Sequence, residues 1–160
     1  GARVVSVLAF DPTEPVILVS DAGQGIRFIP DDLRPMGLTA SGVRGIKLGV
    51  NETVVGAAHP ATDDRLLLVV QAHGTARRVS LDGVPVQGRG GRGVRCAVVT
   101  PKSGPVTAIH GTSDGATVIA RTTDGTPVEL SVGAFPLTAR DAAAGKIRSF
   151  DGTIVGFEPA

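Results

Sequence analysis

One short phrase is written three times in this chain, 51 residues apart. The copies are Ile17-Leu-Val-Ser-Asp-Ala-Gly-Gln-Gly-Ile-Arg-Phe28, Leu68-Val-Val-Gln-Ala-His-Gly-Thr-Ala-Arg-Arg-Val79 and Ile119-Ala-Arg-Thr-Thr-Asp-Gly-Thr-Pro-Val-Glu-Leu130. Each is an apolar run, a glycine turn (Gly23, Gly74, Gly125) and a second run of strand-forming residues, which predicts a β-hairpin. A fixed period of this size with strands in every unit marks a propeller blade or a β-solenoid coil. A unit this small cannot bury its own face, so it must stack on its neighbours.

A second strand type recurs with the hairpin and ends in a polar residue followed by proline or glycine. Its copies are Val4–Pro12, Val54–Pro60, Val106–Gly111 and Ile154–Pro159. Four copies against three hairpins leave one over, which closes a ring or forms a bare edge of an arc. Between the two lies a Gly-rich connection and another apolar run. Gly42-Val43-Arg44 matches Gly93-Val94-Arg95 at the same period, and Gly145-Lys146-Ile147 is a shifted echo. Four strands per repeat predict an all-β chain of three four-stranded antiparallel blades, about 1–52, 53–104 and 105–160, in one domain. The expected arrangement is an open arc or a small ring.

Composition narrows the function. The 22 glycines and 11 prolines, about a fifth of the 160 residues, suit many short strands joined by tight turns. The longest apolar run, Leu66 to Val70, is far too short to span a bilayer, and no signal peptide is read at the start. A single Cys96 excludes an internal disulfide and fits a reducing cytosol, and its strand-like surroundings predict a buried, inert thiol. Net charge is only +1, yet residues 66–116 carry six basic groups against two acidic ones. That local field steers an anionic partner, or is simply a solvated face.

The densest functional motif is Gln87-Gly-Arg-Gly-Gly-Arg-Gly93. Its glycines let backbone approach a ligand, and its two guanidinium forks suit phosphate oxygens. The readings are a phosphate-backbone clamp on nucleic acid, or a turn with solvated arginines. Without Gly-Lys-Ser/Thr it is not a nucleotide P-loop. Gly23-Gln-Gly25 lacks the following helix of a dinucleotide site. His59 and His110 are 51 residues apart and read as repeat features rather than metal ligands. With no Trp or Tyr there is no stacking platform for single strands, so duplex DNA gripped by its phosphates fits better.

Gly25-Ile-Arg-Phe28, Leu33-Arg-Pro-Met-Gly37 and Ala40-Ser-Gly-Val-Arg-Gly-Ile-Lys-Leu48 resemble the repeat of the C-terminal domain of the DNA gyrase and topoisomerase IV A subunits. The resemblance covers the whole chain and weakens toward the third repeat. It implies a β-pinwheel, a propeller-like set of blades that exchange strands, whose basic rim binds and bends duplex DNA without sequence specificity. Residues 87–93 resemble the gyrase box, with Gln87, Arg89, Gly90, Gly91 and Gly93 matching, Arg92 for the usual Lys, and Gly88 departing from a basic residue. The box also follows one complete repeat instead of sitting in the first blade, and three repeats fall short of six. Gyrase-type supercoiling is therefore not implied over relaxation or decatenation.

The implied DNA-binding residues are Gln87, Arg89, Gly90, Gly91, Arg92 and Gly93 of the box, with Arg77, Arg78 and Arg95. Arg34, Arg44 and Lys47 join them from repeat one, and Arg140, Lys146 and Arg148 from repeat three. No catalytic residue is expected here, since these enzymes cleave DNA with a tyrosine and the chain has none. No cofactor or metal is expected in this chain, and ATP and Mg belong elsewhere in the enzyme. The implied partners are double-stranded DNA, the rest of the A subunit and its ATPase B subunit, in the cytoplasm with the nucleoid and away from membranes. The alternatives are a protein-interaction propeller, disfavoured because a WD-type blade needs Trp, and a propeller hydrolase, for which no repeated carboxylate constellation exists.

Overall fold

The computed structural model describes residues 2–60, 63, 65–142, 145–146 and 153–158. Its strands are β1 (Val16–Ser20), β2 (Gln24–Phe28), β3 (Val54–Ala58), β4 (Leu66–Gln71), β5 (Thr75–Ser80), β6 (Val94–Arg95), β7 (Val106–Thr112), β8 (Thr117–Thr122), β9 (Pro127–Ser131), β10 (Gly145–Lys146) and β11 (Ile154–Phe157). Short 3-10 turns follow β2, β5 and β9 at Pro30–Asp32, Leu81–Gly83 and Val132–Ala134. Among the described residues no helix is long and apolar enough to cross a membrane.

The three expected hairpins form, as β1–β2, β4–β5 and β8–β9, all antiparallel. Their turn glycines adopt φ of 78°, 77° and 84°, a region that costs other residues strain. The Gly23, Gly74 and Gly125 N–H groups donate to the carbonyls of Ser20, Gln71 and Thr122, at 3.0, 3.2 and 2.9 Å. In the third turn Asp124 accepts from the Thr122 hydroxyl and the Thr126 N–H.

The first two hairpins complete their sheets with residues of the following repeat, and the third takes β11 from within its own. The first sheet has the order β3-β1-β2-β6, the second β10-β5-β4-β7, and the third β11-β8-β9. In each, the first hairpin strand takes the proline- or glycine-ended strand that follows it in sequence. In the first two, the second hairpin strand takes a two-residue strand from beyond the Gly-rich loop of the following repeat. The first two sheets therefore cut across the sequence boundaries at 52/53 and 104/105. Registers Gln24↔Arg95 and Thr75↔Lys146 make Arg95 and Lys146 equivalent, so the third repeat is in phase once strands, rather than glycines, are aligned. β3, β7 and β11 meet at the inner edge of the array. They line, with residues 5–8, a half-open cavity of about 370 Å³.

Two expected strands are absent. Residues 4–10 belong to no sheet, though residues 5–8 line the cavity at the inner edge, and Val4 and Val7 are 77% and 88% exposed. Residues 43–48 likewise form no strand, so repeat one holds a hairpin where four strands were expected. Both segments are of the type that pairs with the hairpin of a preceding repeat, and the described residues hold no such hairpin.

Alternation along β4 organises the core. Leu67 and Val69 pack with Ile17, Val19 and Val79 between the first and second sheets. Leu68 and Val70 pack with Val118, Ala120 and Phe135 between the second and third. A strand buried on both faces reads as a continuous apolar run, as Leu66 to Val70 does. A smaller cluster, Val16, Ile26, Phe28 and Ile46, lies apart from these on the first sheet.

Gly93, at φ 75°, sets the closest inter-repeat approach, because a Cβ there would strike the Gly25 carbonyl. Gly93→Ala should lose about 1–3 kcal/mol from backbone strain alone. Thermal unfolding followed by circular dichroism should show a clear drop in Tm. Gly88→Ala, with nothing within 4 Å of the added methyl, should stay within about ±0.5 kcal/mol.

The third turn should show acid sensitivity. The Thr122 hydroxyl bond, helped by the Thr126 N–H, holds the Asp124 carboxyl at about 2, against an ordinary 3.8. Its contribution is complete above pH 3.8 and is lost as pH falls toward 2. In Asp124→Asn, the gap in Tm from the parent should therefore shrink between pH 4 and pH 2; a constant gap would refute this coupling.

Candidate nucleic-acid interface

Residues 87–93 leave the 3-10 turn after β5 and cross to the first sheet, where β6 pairs with β2. Their backbone is held at three points. The Gln87 N–H donates to the Arg27 carbonyl at 2.8 Å, and the Gly90 N–H to the Gly45 carbonyl at 2.7 Å. The Lys47 N–H returns to the Gly91 carbonyl at 2.8 Å. The loop is thus fixed against the Gly-rich connection of repeat one and places 44, 47 and 92 together.

Its two arginines differ. Arg89 donates to both carboxylate oxygens of Asp32 and to the Arg44 carbonyl, leaving its side chain 22% exposed. This bond holds the Asp32 carboxyl below its ordinary range. Arg92 reaches Glu52 and the Lys47 carbonyl but keeps its side chain 48% exposed. Burial pushes the Glu52 carboxyl up, but bonds from the Ser20 hydroxyl, the Gly49 N–H and Arg92, with the charge of Arg92, hold it lower overall.

Arg34, Arg44, Lys47 and Arg95 are exposed, as are Gln87 and Gly88, while Gly90, Gly91 and Gly93 are half-buried. Arg95 stands on β6, at the outer edge of the first sheet, and Arg140 donates to its carbonyl and to that of Gly83, each at 3.0 Å. Arg95 and Arg140 line one shallow depression with Gln24 and Asp141. The exposed cations of repeats one and two therefore continue toward repeat three. Lys146 is described here by its backbone alone, at the outer edge of the second sheet, and Arg148 lies outside the described residues.

Two expected surface residues are corrected. Arg77 is completely buried, with Nη1 donating to the carbonyls of Arg140 and Ala142. Among the described residues its Nε and Nη2 have no partner, and burial lowers its pKa. It occupies a strand position whose side chain points into the core, so it cannot meet a phosphate. Arg78 is on the other face but is only 15% exposed, donating to the Phe135 carbonyl at 2.7 Å and to Asp114 at 2.6 Å.

The sequence reading missed Arg27, which donates to the Leu81 and Val84 carbonyls at 3.0 and 3.4 Å. Arg27 and Arg78 are 51 residues apart, as are Val84 and Phe135, and Arg89 and Arg140. That spacing was the available signal for a repeated staple between units. Cys96 is buried, which pushes its thiol up to about 11 and makes it inert at neutral pH. The described residues contain no group of three His, Cys, Asp or Glu side chains able to hold a metal.

Arg77→Ala should lose about 2–5 kcal/mol in denaturant unfolding, as large-to-small core changes do. Arg77→Met, which removes a buried charge at similar volume, should be near neutral or stabilising. Neither should alter affinity for a polyanion, measured below the unfolding transition.

The chain matches the family model described as DNA gyrase C-terminal domain, beta-propeller, over residues 14–59 and 67–119. It is 33% identical to the DNA gyrase A subunit of Salmonella typhimurium over 141 residues, which is 88% of this chain and 16% of that protein. It is 42% identical to the Mycobacterium leprae gyrase A subunit over 81 residues, 49% of this chain and 6% of that protein. The chain thus spans about a sixth of the length of gyrase A subunits that it matches along most of itself. In fold it superposes on the C-terminal domain of a DNA topoisomerase IV with a TM-score of 0.81 at 18% identity, covering 92% of this chain and 47% of that one. A DNA gyrase A C-terminal domain gives a TM-score of 0.81 at 20% identity, covering 91% and 50%. With the matching repeats, exchanged strands and outer basic edge already placed, the chain belongs to the DNA gyrase C-terminal domain family, the β-pinwheel repeat of gyrase and topoisomerase IV A subunits.

Proposed function

We propose that this chain binds and bends duplex DNA for a bacterial type II topoisomerase. The carrying observation is the run of exposed cations, Arg44, Lys47, Arg92 and Arg95, fixed by backbone bonds at the outer edge of the first sheet. These side chains neutralise phosphates, and release of condensed counterions drives binding. Contacts of this kind position DNA without reading its sequence. The half-exposed Arg92 moves from Glu52 to a phosphate when DNA arrives, whereas Arg89 stays on Asp32 and keeps the loop in shape. Following the edge bends the duplex, which costs about 1–6 kcal/mol for a 20–30 bp site bent by 40–90°.

Cleavage and ATP hydrolysis lie elsewhere in the enzyme. They belong to the other A-subunit domains, where the tyrosine resides, and to an ATPase B subunit with its Mg and ATP. Gln87, Gly90, Gly91 and Gly93 supply loop backbone, and Arg34, Arg140, Lys146 and Arg148 extend the contact to either side. The working place is the cytoplasm, at the nucleoid.

Titration of linear duplex across a range of salt concentrations tests this. Log K should fall linearly with log salt, with a slope of about −0.9 per phosphate neutralised. Replacing Arg44, Lys47, Arg92 and Arg95 together by Ala should make that slope shallower by about one per lost contact. Replacing Arg65, which pairs with Asp82 at an exposed site, should leave it unchanged. A flat salt response, or a fourfold variant that binds like the parent, would refute the proposal.

A further inference from the structure

Glu52 lies in the turn before β3, and its side chain is only 4% exposed. It accepts from three donors: the Ser20 hydroxyl at the end of β1, the Gly49 N–H of its own turn, and Arg92 Nη1. The repeat shows which of these contacts the turn needs. Ser20, Gly49 and Glu52 recur 51 residues later as Gln71, Thr100 and Ser103. There the Gln71 Nε2 and the Thr100 N–H each donate to the Ser103 hydroxyl oxygen at 3.0 Å. Two of the three contacts are thus reproduced by a neutral side chain. The third donor has no counterpart in the sequence, because Arg92 recurs as Ala143.

A hydroxyl closes this turn, so the turn does not explain a carboxylate. Burying a carboxylate costs more than burying a hydroxyl unless a cation compensates it. The carboxylate stands in the repeat whose facing loop carries an arginine, and a serine stands where that loop carries an alanine. What Glu52 adds is therefore charge, directed at Arg92. Arg92 bonds to Glu52 and to the Lys47 carbonyl through the same Nη1, and its side chain remains 48% exposed. Arg89 differs, since it places two nitrogens on Asp32 and is 22% exposed.

We infer that Glu52 is an internal competitor for phosphate, a positioning residue that weakens the hold on duplex DNA by acting through Arg92. The inference rests on the DNA reading above and names what sets the strength of that contact. In the free protein Glu52 cancels the Arg92 charge and keeps the side chain against its own loop. A phosphate must displace this carboxylate and then remains close to it. The loop therefore binds less tightly than its two arginines would, and releases more readily. Asp32 has no such part, because its side chain is 53% exposed and its partner stays in place to hold the loop.

The test is a cycle of four proteins: the parent, Glu52→Ser, Arg92→Ala and the double variant. Serine is the residue of the second repeat, so Glu52→Ser should keep the turn, and the isosteric Glu52→Gln is a second variant of the same kind. Amide protection of β1 to β3 checks that each is folded. Affinity for a linear duplex is then measured against salt. Glu52→Ser should bind about three- to fivefold more tightly at about 0.1 M salt, the scale of one partly exposed ion pair. Its salt slope should be steeper by up to about 0.9. In the Arg92→Ala background the same change should alter affinity by less than about 1.5-fold. An equal gain in both backgrounds would make Glu52 an ordinary field charge and overturn the inference. Unchanged binding would overturn it, as would weaker binding, which would mean that Glu52 presents Arg92 to DNA. Loss of β1 to β3 protection in both Glu52→Ser and Glu52→Gln would overturn it by showing that the turn needs the carboxylate. Those outcomes leave the DNA reading standing, whereas a parent that binds no duplex at low salt refutes both.

Discussion

The Gln87 N–H donates to the Arg27 carbonyl, and 51 residues later the Thr138 N–H donates to the Arg78 carbonyl at 3.1 Å. At each place a short parallel bridge, Arg27↔Val86 and Arg78↔Leu137, forms beside that bond. Through this contact the backbone of one repeat is laid along the hairpin of the one before. Other consequences depend on it. The 3-10 turn brings Leu81, or Val132, beneath its own hairpin and into the core. The Gly-rich loop is delivered to the neighbouring sheet, where β6 and β10 can pair. The arginines of the second hairpin strands, Arg27 and Arg78, close the junction by donating to carbonyls that the turn presents. A backbone carbonyl held inside protein needs a donor, and a guanidinium with five N–H groups can satisfy it while filling the gap with its stem.

Period and residue type carried most of this fold in the sequence. Gly23, Gly74 and Gly125 mark turns that only a left-handed backbone closes; the apolar runs before the first two are strands buried on both faces, and the one before the third is buried on one. Ownership of the strands was less legible. Val4 to Phe10 has the residues of a strand, yet a strand exists only where a partner offers its N–H and C=O groups, and sequence pattern does not name the partner. For the same reason Val43 and Val94 read alike while only Val94 is paired. The shifted echo at Gly145 is explained similarly, because hydrogen-bond register to β5, and not the glycine, sets its phase.

The candidate interface was legible as a concentration of charge but not as a division of labour. Arg77 and Arg78 are adjacent, and a strand sends successive side chains to opposite faces. One therefore enters the core and the other holds the Phe135 carbonyl, although the sequence offers both as surface cations. Arg89 and Arg92 are likewise separated by their counter-charges, Asp32 and Glu52, which lie 57 and 40 residues away. Long-range pairs of this kind follow from the fold and leave no local trace.

The same side chain thus serves two purposes, and exposure decides which. An arginine whose fork is directed at backbone carbonyls, as in Arg27, Arg77 and Arg78, holds repeats together and has little charge to offer outside. An arginine whose backbone, rather than its fork, makes the junction is free to face solvent. Arg44 and Arg95 are of this second kind, since their carbonyls accept from Arg89 and Arg140 while their own side chains stay exposed. The junction between two repeats is then also the support for an outward cation. Surface charge is placed by the contact that stabilises the fold, so a curved array of such repeats carries its basic groups at the spacing of its sheets.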